Sequence, residues 1–333
     1  MSDREAWLAL TPEEAIEPEL PICDPHHHLW DYPGSRYLLD EFVADIGGGH
    51  RIVKTVFVEC RQFYRTFGPD EFRPVGETEF VDSVAGPAEA GSGVTEVAAG
   101  IVGFADLSLG SAVQEILDAH LAASPRFRGV RHASAWDEND RVHNAHTNPP
   151  SGLLGEPSFR AGLACLEARG LSFDAWLYHP QIPELTDLAR AFPDLTIVLD
   201  HMAGPLGIGP YAGDHEEVFR TWSSHMVELS DCKNVCVKLG GLTMSMAGFG
   251  WHKREVPAGS VELAQVIGPY YRACIEHFGV ERCMFESNFP VDRAACSYTV
   301  QWNAFKRLSS AYSISERSAL FHDTASRTYR LGD

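Results

Sequence analysis

The run ICDPHHHLWD, residues 22–31, joins a short apolar stretch to three consecutive histidines and a Trp. No Gly-rich phosphate loop follows it, so the usual mark of a doubly wound open sheet is missing. It reads instead as the first of eight strand-like runs. The others are IVKTVFVEC (52–60), VAAGIVGFADL (97–107), FRGVRHAS (127–134), LSFDAWLY (171–178), LTIVLDH (195–201), NVCVKLGG (234–241) and RCMFESNF (282–289). Between many of them, stretches such as SAVQEILDAHLAA (111–123), FRAGLACLEARG (159–170) and EVFRTWSSHMVELSD (217–231) repeat apolar residues every three or four positions. That spacing puts one apolar stripe on a helix. Near-continuous apolar strands alternating with such helices predict a parallel sheet covered by helices. Eight units predict an α/β fold closed into a (β/α)8 TIM barrel. One domain is expected over residues 1–333, with residues 1–20 as a short N-terminal extension.

Three connections are long, 61–96, 135–158 and 242–259. All follow strands, so on a barrel they stand over the C-terminal face as lids.

The 333 residues carry a formal net charge of −19, which argues against nucleic acid or an anionic membrane as partner. A small-molecule substrate is expected, and a homo-oligomer is left open. No apolar run reaches the roughly 20 residues of a membrane span. The acidic start MSDREAWLALTPEEAIEPEL lacks the features of a secretory signal, and the eight scattered cysteines suit buried thiols, so a cytoplasmic protein is expected.

Polar residues gather where the strands end. Alternation aims His26 and His28 to one side and His27 to the other, between strand and helix. Glu59 and Arg61 close the second strand, Arg131 lies on the fourth and His179 follows the fifth. Asp200 and His201 end the sixth, Lys238 the seventh, and Glu286 and Asn288 share a face of the eighth. Burying so many ionisable groups without purpose would be costly. The histidines are read as holding metal or substrate, and Asp200, expected to point away from His201, as scaffold. Glu59, Arg61, Arg131, His179 and Lys238 are candidates for substrate binding.

The motifs DPHHHLWD (24–31), FGPDEFRPVGETEFV (67–81), VLDHMAGP (198–205), VKLGGL (237–242) and MFESNFPVD (284–292) resemble the amidohydrolase superfamily. The likeness is closer to its amidohydrolase 2 branch, which includes sugar-acid lactonases and 2-pyrone-4,6-dicarboxylate lactonase. The resemblance implies a barrel whose first strand supplies HxH, here His26 and His28, and whose sixth supplies His201. It implies a divalent metal on those three histidines, zinc as the first choice, although some lactonases of the branch are thought to work without one. The family's strand-eight Asp is matched by Asn288, a poor metal ligand and no base, so Glu286 or Glu59 would have to supply a carboxylate.

The resulting expectation is a hydrolase that opens a lactone of a sugar acid or carboxylated small molecule by activated-water attack. His26, His28, His201, Glu286 and Asn288 form its catalytic set. The alternatives are a metal-dependent non-oxidative decarboxylase of an aromatic or related acid, and a non-catalytic barrel that binds a small acid.

Overall fold

The computed structural model describes residues 3–91 and 93–332; Met1, Ser2, Ser92 and Asp333 lie outside the described residues. Eight strands run parallel around one axis: β1 Ile22–His27, β2 Ile52–Val58, β3 Gly93–Gly103, β4 Phe127–Arg131, β5 Ser172–Ala175, β6 Ile197–Leu199, β7 Val235–Leu239 and β8 Cys283–Phe285. Each pairs with the next in this order. The ring closes where His27 bridges Phe289, with Asn288 N donating to His26 O (2.9 Å) and His28 N donating to Phe289 O (2.8 Å). The molecule is a (β/α)8 TIM barrel.

A helix follows each strand and packs outside: α1 Leu39–Ile46, α2 Val75–Val84, α3 Val113–Ala123, α4 Pro157–Glu167, α5 Ile182–Ala191, α6 His215–Ser230, α7 Ser260–Phe278 and α8 Tyr298–Leu308. Their buried faces carry residues at helical spacing, such as Val113, Ile116, Leu117 and His120 on α3. Ser297 starts α8 as an N-cap, its side chain accepting from Val300 N. Helix faces and outward strand residues form one large apolar core. Cys23, Val56, Val58, Val102, Val198 and Met284 form a second, smaller cluster with Tyr329 and Leu331, which we place in the lumen. The chain's last turns therefore plug the barrel floor.

The region 61–96 is less open than its sequence suggests. It contains α2 and a strand, Gly86–Ala90, that pairs antiparallel with β3. That pairing lets β3 begin at Gly93, ahead of its apolar run. Residues near the N-terminus lie against the rim: Trp7 Nε1 donates to Arg254 O (3.0 Å), and Glu13 accepts from Ser260 N (2.8 Å) and Asn303 Nδ2 (2.9 Å). No helix among the described residues is long and apolar enough to cross a membrane.

Candidate active site

Alternation along β1 separates the histidine triplet. His26 and His28 face each other across 3.3 Å through their Nε2 atoms, and His28 Nδ1 donates to Val58 O at 2.8 Å. His27 points outward, its ring stacked on Phe42 and its Nε2 3.0 Å from Thr55 Oγ1. Burial lowers the pKa of His26 well below the usual value, helped by the Lys238 charge, and burial with Arg131 does the same for His28. Both rings are neutral.

The sixth strand departs from expectation. Alternation from Val198 carries Asp200 into the lumen, and His201 should then turn away. β6 instead ends at Leu199, and His201, Met202 and Ala203 take φ of 53°, 53° and 59°. This left-handed turn swings His201 back over the barrel, so Asp200 and His201 do not diverge. His201 Nδ1 reaches Glu286 Oε1 at 2.6 Å, and the His201 backbone N–H donates to the same oxygen (3.3 Å). The pair Gly240–Gly241 on β7's exit makes this approach feasible. A Cβ on Gly240 would come within 2.3 Å of Glu286 Cγ, and one on Gly241 within 2.6 Å of the His201 side chain.

Two cations are buried below. Arg131 donates through Nε to Glu59 Oε1 (2.8 Å) and through NH2 to the Glu59 carbonyl; its NH1 lies 3.4 Å from His26 Nε2 and 3.9 Å from Asp200 Oδ2. Burial alone would push the Glu59 carboxyl up, but Arg131 overrides it and holds it at about 2. Lys238 Nζ lies 2.9 Å from Asp174 Oδ2 and 3.0 Å from Asp200 Oδ1. Tyr329 donates to the same Asp174 oxygen from the floor (2.5 Å). Removing one partner of such a buried pair strands the other, at about 3–5 kcal/mol.

Above this layer opens a pocket of about 430 Å³. Of the residues singled out from sequence, His28, Arg61, Arg131, His201 and Asn288 line it. His26, Glu59, Lys238 and Glu286 are fully buried beneath or beside it. His179 stands apart: its Nδ1 accepts from Leu206 N (3.3 Å) and its ring packs on Tyr211. Asn288 Nδ2 donates to Asp292 Oδ1 (3.2 Å), whose carboxyl burial raises to about 7. Sequence reasoning passed over Trp30, Trp176, His146 and Met244 in the wall, and Asp174 and Asp292 behind it. Asp174 was findable on an inward strand face, with Trp176 just past the same strand's end; His146 and Met244 come from loops, where no periodicity marks them.

Among the described residues, the group with donor atoms within 4.8 Å of one another is His26, Asp200 and His201. Asp200 thus takes the place expected for His28. Zinc binds such atoms at about 2.0–2.2 Å. Here, however, Lys238 and Arg131 already stand against His26 and Asp200. The donor types suit zinc; their surroundings do not fit it.

The sequence model of the amidohydrolase family matches residues 23–331. The chain belongs to the amidohydrolase family. It is a hydrolase of that family. An uncharacterised protein, y4mH of Sinorhizobium fredii, is 34% identical to this amidohydrolase over 341 residues, covering 94% of this chain and 99% of its own. An L-fucono-1,5-lactonase of Burkholderia ambifaria is 30% identical over 243 residues, 70% of this chain and 73% of that protein. An amidohydrolase of Burkholderia multivorans with bound HEPES superimposes with a TM-score of 0.71 at 22% identity, over 93% of this chain and 99% of its own. A second crystal form from that organism, with bound zinc, gives 0.70.

Proposed function

We propose that this amidohydrolase opens a small lactone, of a sugar acid or a carboxylated ring, by attack of an activated water. The observation that carries this is the Glu286–His201 contact of 2.6 Å beneath a pocket that His201 and Arg131 both line. Glu286 accepts the Nδ1 proton of His201, which fixes the tautomer and leaves the Nε2 lone pair as a general base. His201 Nε2 takes a proton from water as the water oxygen bonds to the lactone carbonyl carbon. The carbonyl oxygen becomes an oxyanion facing the Arg131 guanidinium, a contact of the kind worth about 10²–10³-fold in rate. The ring C–O bond then breaks, and the proton on His201 passes to the departing ring oxygen. The product is a hydroxy acid that ionises, releasing one proton.

The pocket volume suits a single ring. Trp30, Trp176 and Met244 give it apolar walls, and Arg61 and His146 give it polar ones that can hold hydroxyls or a carboxylate. The name of the Burkholderia ambifaria relative supports the lactone class. The free state of all eight cysteines supports a reducing cytoplasmic setting. We take residues 1–333 as one domain with the extension 1–20.

A pH-indicator assay over aldonolactones and carboxylated pyrones tests the reading. At least one should be opened by the wild type. If none is opened while an aromatic acid loses CO2, the enzyme is a decarboxylase instead.

A further inference from the structure

We propose that the Lys238 ammonium is the resident cation of this barrel, holding the place that a divalent metal would need between His26 and Asp200, so that the site binds no zinc. The metal-free reaction that follows rests on the function proposed above; the cation assignment itself does not.

Lys238 Nζ is fully buried, 3.0 Å from Asp200 Oδ1 and 3.3 Å from His26 Nδ1, two of the three candidate metal ligands, and 2.9 Å from Asp174 Oδ2. A zinc ion about 2 Å from both ligands would collide with this ammonium or sit against its charge. The neighbouring rings are also committed. Lys238 Nζ donates to His26 Nδ1, His26 Nε2 donates to His28 Nε2, and His28 Nδ1 donates to Val58 O. Glu286 Oε2 lies 2.8 Å from the same His26 Nδ1, which sets a carboxylate beside the ammonium. The chain consumes every ring nitrogen of the HxH pair. His201 Nδ1 is held by Glu286, which leaves one lone pair, on Nε2. Arg131 NH1, 3.4 Å from His26 Nε2, sets a second cation at the ring's other nitrogen. Both Asp200 oxygens are left without a hydrogen bond, but the cation position beside them is held by Lys238 Nζ, and the ring nitrogens of His26 and His28 have no lone pair to spare.

Isothermal titration with zinc, backed by elemental analysis of chelator-treated protein, reads the assignment without any substrate. Wild type should take up less than a tenth of an equivalent at micromolar zinc, and Lys238→Met close to one. That equivalent should be lost again in Lys238→Met/Asp200→Asn. Should Lys238→Met fail to fold, Lys238→Met/Asp174→Asn, which removes one buried charge of each sign, carries the same test. A full equivalent in wild type that Asp200→Asn abolishes overturns the assignment, as does a folded Lys238→Met that takes up none. If wild type opens no lactone yet behaves this way toward zinc, the reaction falls and the assignment stands. Lactone opening that requires zinc overturns the assignment and leaves the lactone reading standing.

Discussion

His201 and the two residues after it occupy a backbone region that L-residues avoid, at about 1–2 kcal/mol each. Strain of this kind persists only where surroundings over-determine it. Here Glu286 grips both the backbone N–H and the ring of His201, and Gly241, at φ +74°, leaves room beneath the imidazole. Gly241→Ala should therefore displace the ring and lower kcat on the best lactone about 10²-fold, with KM changed far less. Steady-state kinetics check this; an unchanged kcat would mean that the ring's position is irrelevant. Glu286→Gln, which can no longer anchor the Nδ1–H as a carboxylate, should lower kcat, while Glu286→Asp restores part of the rate. Strand alternation was enough to separate His27 from its neighbours in the sequence. It misplaced His201 relative to Asp200 because alternation holds only while a strand lasts, and in VLDHMAGP only Gly204 hints at the left-handed run that begins three residues earlier.

Between elements, Glu77 of α2 ties the region after β2 to the pocket wall. Its Oε1 accepts from Cys60 N (3.0 Å) and Gln62 N (2.9 Å), on either side of Arg61. Burial, and then the Glu59 charge, raise the Glu77 carboxyl to about 8. A folded pKa above the unfolded one, about 4.3, means that the proton favours the folded state. The stabilisation is complete below that unfolded value and is lost as pH rises through about 8. Glu77→Gln keeps both backbone acceptor contacts and removes the titration. Its Tm relative to wild type should climb from about pH 5 to about pH 8 and level off above that, as thermal unfolding at several pH values would reveal. A difference independent of pH would contradict this. The eight strands were legible as apolar runs, and the barrel followed from their number and the helices between them. Helix α2 was not, because Gly and Pro crowd FGPDEFRPVGETEFV and its helical stripe is weak.

Across the whole molecule, a net charge of −19 surrounds a pocket walled by Arg61 and Arg131. The barrel makes this arrangement by collecting one or two residues from the ends of most of its strands, so the chemistry is spread along most of the chain, from His28 to Asn288. Such dispersal explains why the sequence exposed the groups at strand ends and hid loop-borne wall residues such as His146 and Met244. It also concentrates the functional claim on one side chain. The most direct measurement is kcat/KM of His201→Asn on the lactone that wild type opens best, with Tm recorded alongside. A loss of about 10²-fold or more at nearly unchanged Tm is predicted, since general-base catalysis contributes that much. Wild-type turnover by a folded His201→Asn would contradict the account.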